Sequence, residues 1–429
     1  MRAASSGSSA PGLPLALNEA TRVLRAIRAQ WRPVVLPVLV LWLLAAVVTT
    51  TLLHPFDVRE YERYAHAALE RPFFHRLPLE YPAPALAVFL VPLLLPISYP
   101  WAFAMVAGVA LVLLATSYEG SDLPRWDTRA AGRLVIYMSL GSVMVVAGRY
   151  DIFAAAAAFW AVRAARRDRW SVAWTWASIG FVLKLFPAAL WPAFLIAECR
   201  RAGRVPWRRL WWMGASAVVV AGIPALVDPA GTLNALHYYL RRPAEIGSLP
   251  AGLSLLIDPH GTTWVSSFHS ANVANAWAPP LGLVFEFAGV GGCLATWWAL
   301  ARGRLPIEAA CLATLTFVVL GSKVLSVQYL VWLMPFWALY RLRASWLLAS
   351  AANLVVFPYA SAATSFGYVP AHAFAVSLTL VFFARDVAIG VGTWTWLRAL
   401  QKESVGTGLP DPQPVTVGAG RRPSFTAPG

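Results

Sequence analysis

Apolar blocks recur from Pro33 almost to Leu397, several of them near the roughly 20 residues that a helix needs to cross bilayer hydrocarbon. Inside hydrocarbon every backbone N–H and C=O must find its partner within the protein, which leaves helices or a closed barrel. Blocks of this length suit helices, since a barrel strand needs only about 9–11 residues. The expected fold class is all-α, a polytopic integral membrane protein with about 11–13 transmembrane helices. Composition agrees. The chain is 59% hydrophobic and 13% charged, against about 45–50% and about 25% in soluble domains. The blocks leave no room for a soluble domain of ordinary size.

The formal net charge is +15, which in a soluble protein would point to nucleic acid. Here the arginines fall in short joints between apolar blocks, the pattern of cytoplasmic loops. No basic stripe interleaved with aromatics accompanies them, so nucleic acid is not an expected partner. The joints at 163–169, 200–209, 301–304 and 341–343 are expected inside. Five arginines (Arg2, Arg22, Arg25, Arg28 and Arg32) precede the block at 33–53, so its start also faces the cytoplasm. No small-residue cleavage site follows, and a retained first helix is expected rather than a signal peptide.

This orientation divides the chain into a cytoplasmic tail at 1–32, a transmembrane domain at 33–397 and a disordered tail at 398–429. The segments 54–81 and 228–276 are expected outside. The expected location is a bacterial cell membrane, since only three lysines stand among 35 basic residues, an imbalance typical of GC-rich bacterial coding. Cys199, Cys293 and Cys311 are far apart and form no metal-binding or disulfide pattern. No cofactor and no metal are expected.

The block at 170–197 is too long for one span, is basic at both ends and contains Pro187 and Pro192. It reads as a hairpin of two short helices with Lys184 near its outer end. Parity then requires that one of the blocks between 82 and 117 is not a full span. The segment Asp57–Glu70 carries Tyr61, Tyr64, Ala65, Ala68 and Leu69 at helical spacing. It is expected to form an amphipathic helix on the membrane surface.

Ionisable groups in membrane segments cost about 2.5–3.5 kcal/mol each at mid-bilayer on insertion scales, so those that persist are candidates for function. Asp57 follows the first helix; Asp57 and Glu60 also fit a capping box for the surface helix. Glu80 and Tyr81 precede Pro82 at the entry of the next block. That arrangement equally suits an interfacial tyrosine anchor and a helix-starting proline. Lys184 lies in F-V-L-K-L-F-P, where it could snorkel or bind an anion. Lys323, Ser326, Gln328 and Tyr329 bring hydrogen-bond donors to one membrane face. The outer segment 228–276 adds His237, Tyr238, Tyr239, Arg241, Arg242, His260 and His269. Aromatic rings beside arginines suit a sugar-phosphate, because guanidinium forks grip phosphate oxygens. A lid packed on the membrane surface is the structural alternative.

The order of motifs resembles a known family. An Asp and a Tyr-rich helix follow the first span. Then come E-Y-P-x-P at Glu80, G-R-Y-D at Gly148–Asp151, K-L-F-P at Lys184–Pro187, H-Y-Y-L-R-R-P at His237–Pro243 and K-V-L-S-V-Q-Y-L-V-W-L-M-P at Lys323–Pro335. Together, over residues 33–395, they resemble the GT-C superfamily of membrane glycosyltransferases, and within it glycosyltransferase family 87. The resemblance implies transfer of a sugar, mannose first, from a polyprenyl-phosphate carrier to a glycolipid or glycan acceptor on the outer face. It implies Asp57 as catalytic base and a binding set drawn from Glu80, Tyr81, Asp151, Lys184, His237, Arg241, Arg242, His269, Lys323, Gln328 and Tyr329. In this reading Lys184 and Lys323 hold the donor phosphate from two sides, with Arg241 and Arg242 as further cations. The sequence departs from the family pattern at Val327, where relatives carry proline. It departs again at Gly247–Ser248, where they carry an acidic residue before the serine. Two readings stay open beside mannosyl transfer: arabinofuranosyl transfer, and a transporter or flippase. Membrane lipids are the remaining expected partner.

Overall fold

The computed structural model describes residues 34–53, 56–71, 73–74, 77–78, 80–118, 128–366 and 372–406. Residues 1–32 and 407–429, expected as tails, lie outside the described residues. The described residues are mostly helical. The helices are α1 Leu36–Val47, α2 Phe56–Leu69, α3 Leu86–Leu90, α4 Tyr99–Thr116, α5 Thr128–Gly141, α6 Val143–Gly148, α7 Asp151–Arg166, α8 Trp170–Leu183, α9 Trp191–Ala202, α10 Arg208–Ala217, α11 Ile223–Val227, α12 Pro229–Arg241, α13 Leu249–Ile257, α14 Ala278–Ala301, α15 Ile307–Gly321, α16 Leu330–Trp337, α17 Ala344–Phe366 and α18 His372–Gly406. One antiparallel hairpin, β1 Thr263–Ser267 and β2 Ser270–Ala274, interrupts them.

Among the described residues, four helical stretches, Tyr99–Thr116, Arg208–Val227, Ala278–Ala301 and Phe374–Lys402, are long and apolar enough to cross a membrane. Shorter apolar helices, among them Trp170–Leu183 and Ile307–Gly321, accompany them. Large apolar side chains stay exposed on α14, including Val284, Phe287 and Val290, as they would against lipid. This is a multi-pass membrane protein.

The long block at 170–197 does fold as a hairpin. α8 stops at Leu183 because Pro187 could not donate to that residue's carbonyl and its ring would clash with it. Lys184 is extended (φ −154°, ψ 135°). α9 then returns, so that Arg201 meets Asp168 at 2.9 Å and Trp174 Nε1 donates to Glu198 at 2.8 Å. The basic joints gather at the same end of the bundle. Arg166 pairs with Glu308 at 3.3 Å, and Arg200 donates to the Leu300 carbonyl at 2.7 Å. The stretch 83–94 is the short one: Tyr81, Phe89 and Phe103 all lie against Tyr61, so the chain enters and leaves it beside α2. α14 and α15 cross so closely that a Cβ on Gly289 would stand 2.9 Å from Gly321 Cα. Glycine is required there on contact grounds.

Three expectations are corrected. The apolar face of α2 packs on protein: Val58, Tyr61, Ala65 and Ala68 are buried against Phe89, Tyr99 and Phe103. Its small alanines let α2 sit close to α3, leaving Leu69 exposed, so it does not lie mainly on lipid. Asp57 is the second residue of α2, and its carboxylate turns to Arg149, so the capping-box reading does not describe its contacts. α18 continues to Gly406, into the segment expected as tail, because Leu397 and Leu400 still pack on the core.

Candidate active site

At the end of the bundle opposite the basic joints, four charged side chains from three breaks in the helical run converge. Asp57 comes from the first turn of α2. Arg149 and Asp151 flank the elbow between α6 and α7, where Arg149 is extended (φ −136°, ψ 138°). Lys184 comes from the break after α8. Arg149 Nη1 donates to Asp57 Oδ1. Lys184 Nζ stands 2.5 Å from Asp151 Oδ1, which also accepts from Trp332 Nε1 at 2.7 Å. Asp151 is 1% exposed and Asp57 8%. Buried charges of this kind are tolerable only when paired.

Aromatic rings enclose both pairs. Lys184 Nζ lies 4.9, 5.6 and 5.3 Å from the ring centroids of Tyr150, Tyr329 and Trp332, and a cation over such faces gains about 0.5–2 kcal/mol per contact. Tyr329 stacks on Trp332 at 4.0 Å. Tyr81 donates to Asp57 Oδ1 at 3.3 Å. Burial pushes the Tyr81 phenol well above its ordinary range, helped by Tyr61 and the nearby carboxylates. It therefore remains a neutral donor throughout the physiological range. Burial does the same to Tyr61. Glu60, in the next turn of α2, is also raised, by burial working against Arg63.

A second cluster adjoins the first. His269 Nδ1 lies 2.5 Å from Glu80 Oε1. The Tyr238 hydroxyl donates to the Phe268 carbonyl at 2.8 Å and lies 3.2 Å from the same Glu80 oxygen. Phe268 and His269 form the tip of the β-hairpin with φ of 53° each. Two non-glycine residues in this left-handed region are strained, and Tyr238 and Glu80 hold the turn in place. Arg242 faces Glu245 at 3.8 Å and lies over the Tyr238 ring. Tyr329 and Glu80 are within its electrostatic reach, which joins the two clusters. Ser326 donates to Glu245 Oε1 at 2.6 Å.

Of the residues expected from sequence, Asp57, Tyr81, Asp151, Lys184 and Tyr329 share the first cluster, and Glu80, His269 and Arg242 the second. Gln328 occupies the same turn as Tyr329, its Oε1 buried and without a hydrogen-bond partner among the described residues. Lys323 donates to the Leu240 carbonyl at 3.3 Å and faces Glu286 at 3.8 Å, so the two lysines have separate partners. His237 and Arg241 are exposed on α12, outside both clusters. Arg149, Trp332 and Glu245 join the site without having been expected there from the sequence. Arg149 was visible within G-R-Y-D as an arginine away from the basic joints. Glu245 stands two residues before Gly247, where a Cβ would meet the Leu325 carbonyl at 2.4 Å. An acidic side chain has no room at 247, and Glu245 puts a carboxylate beside Ser326.

Below this end lies a polar node that the apolar pattern also concealed. Arg385, wholly buried in α18, pairs with Asp386 at 2.8 Å and donates to Asn353 Oδ1 at 3.0 Å and to the Gly247 carbonyl at 2.8 Å. Asn353 donates to the carbonyls of Gly141 at 2.6 Å and Val327 at 3.0 Å. The node ties α17 and α18 to the two loops that carry Glu245 and Tyr329. An Arg–Asp pair in the middle of an apolar block was the signal.

A sequence profile described as glycosyltransferase family 87 matches residues 79–326, more than half of the chain. No curated protein matches it. The match takes in both sides of the second cluster and Arg149, Asp151 and Lys184 of the first; Asp57 precedes it.

Proposed function

The chain belongs to glycosyltransferase family 87, and from that premise we propose that it moves a sugar, mannose in the first instance, from a polyprenyl-phosphate carrier to a glycolipid or cell-envelope glycan. The reaction takes place on the outer face of a bacterial cell membrane. The observation that carries the reading is Asp57: a carboxylate among two half-buried cations and a set of tyrosines, at the end of the bundle away from the basic joints. In the positive-inside pattern that end is the outer one.

In the proposed step Asp57 accepts the proton of an acceptor hydroxyl as the hydroxyl oxygen bonds to the anomeric carbon. The bond from that carbon to the phosphate oxygen breaks, and its electron pair leaves on the lipid phosphate. Attack from the side opposite the phosphate inverts the anomeric centre. The leaving group is already acidic and needs positive potential more than a proton, and Lys184 and Arg149 supply it. The neutral Tyr81 phenol holds Asp57 in place. The acceptor sugar is assigned to the second cluster, where Glu80, Glu245 and Tyr238 offer hydrogen-bonding groups to hydroxyls.

The test is release of polyprenyl phosphate from a radiolabelled polyprenyl-phosphate mannose by the purified protein, with membrane glycolipids as acceptor. Acceptor-dependent release with label in the glycolipid is the expected result. Transfer from the arabinofuranose donor alone would move the assignment to that sugar. Absence of transfer from either would overturn the carrier.

A further inference from the structure

The cations facing Asp57 and Asp151 are already committed. Arg149 is bound to Asp57 and Lys184 to Asp151. A phosphate ester entering between them brings at least one negative charge into a buried place, and a buried charge must be paired. One existing pair has to open, and the two are not equivalent. Asp151 is 1% exposed, and Trp332 is its other hydrogen-bond donor. Lys184 is boxed by three rings. Opening this pair would strand a carboxylate in a dry site. Asp57 can lose its cation at lower cost. It keeps the Tyr81 phenol, and it lies in the first turn of α2, where free backbone N–H groups and the helix dipole favour a carboxylate. Arg149 is also the better phosphate ligand, since its planar fork binds phosphate oxygens two at a time.

Resting on the polyprenyl-phosphate reading above, we propose that Arg149 is an exchange residue: donor phosphate takes the guanidinium from Asp57, and this exchange frees the carboxylate to act as base. Donor binding and activation of the base are then one event. Before the donor arrives the base is masked by an ion pair, which keeps it from taking a proton from water or acceptor too early.

The exchange makes phosphate and Asp57 competitors for one cation, and competition has a thermodynamic signature. The full chain in nanodiscs is titrated with farnesyl phosphate and with farnesol, which share a tail and differ in the phosphate. The wild-type protein is expected to prefer the phosphate by about tenfold or more, the scale of one charge-assisted hydrogen bond. Arg149→Met should abolish that preference while leaving farnesol affinity in place, which also shows that the variant is folded. Asp57→Asn should tighten farnesyl phosphate several-fold, because the competitor is gone, and leave farnesol unchanged. A merely structural arginine predicts equal loss for both ligands in Arg149→Met and no gain in Asp57→Asn. If the wild-type protein prefers phosphate but Arg149→Met retains that preference, or Asp57→Asn gives no gain, the exchange is wrong and the carrier stands. If the wild-type protein shows no preference for phosphate, the carrier reading and the exchange fall together.

Discussion

Lys184 Nζ stands 2.5 Å from Asp151 Oδ1 at the one place where the block at 170–197 breaks. Removing one partner of a buried ion pair leaves an uncompensated charge and costs about 3–5 kcal/mol. Lys184→Met should therefore lower thermal stability in detergent markedly. Lys184→Met combined with Asp151→Asn should recover much of that loss without recovering transfer. Recovery of transfer in the double variant would remove Lys184 from the chemistry.

Asp57→Asn should abolish transfer in a folded protein. The side chain stays nearly isosteric, and general-base catalysis is typically worth about 10²–10⁴-fold. Single-turnover transfer with bound donor is the measurement. Near-native turnover would exclude Asp57 as base.

Tyr81→Phe removes the phenol that donates to Asp57 and leaves the ring packed on Tyr61 and Tyr150. A hydrogen bond to a charged group is worth about 1.5–3 kcal/mol, so turnover should fall by about tenfold or more. Burial raises the phenol, so it stays protonated well past its ordinary range. The alkaline limb of the pH–rate profile should therefore be the same in wild type and Tyr81→Phe. A limb that disappears with the phenol would show that Tyr81 titrates in the working range.

Arg385→Met should destabilise the protein by about 3–5 kcal/mol, because Asp386 is left as a buried charge. Replacing both residues with Met and Leu should be better tolerated thermally, yet still weaken transfer. The Gly247 carbonyl would lose its hydrogen bond from Arg385, and with it one tie on the loops carrying Glu245 and Tyr329. Thermal midpoint and transfer rate, measured on the same preparations, separate the two effects.

Orientation can be read by labelling. His260 and Arg204 are both exposed, at opposite ends of the bundle. In a background with Cys199 replaced by Ser, His260→Cys should react with an impermeant maleimide added outside intact cells, and Arg204→Cys should not. The reverse pattern would place the site in the cytoplasm.

The sequence by itself determined the solvent and the broad architecture. Long apolar blocks admit only helices in hydrocarbon, and arginine joints mark one end of the bundle. Even the hairpin at 170–197 was legible, because prolines and basic flanks are local signals. Asp57, Tyr81, Asp151 and Lys184 were legible as polar residues out of place. Their partners were not. Arg149 meets Asp57 across 92 positions of chain and Trp332 meets Asp151 across 181, and no local pattern encodes which ion pairs with which. The same holds for the face of α2. Its periodicity marks an apolar stripe, but only packing decides whether that stripe meets lipid or Phe89. Tertiary structure also hid Arg385 and Asp386 inside an apolar helix and tied them to two distant loops. Charges and hydrogen bonds act over a few ångströms, whatever the separation along the chain, so the composition of the site could be read from the sequence and its wiring could not.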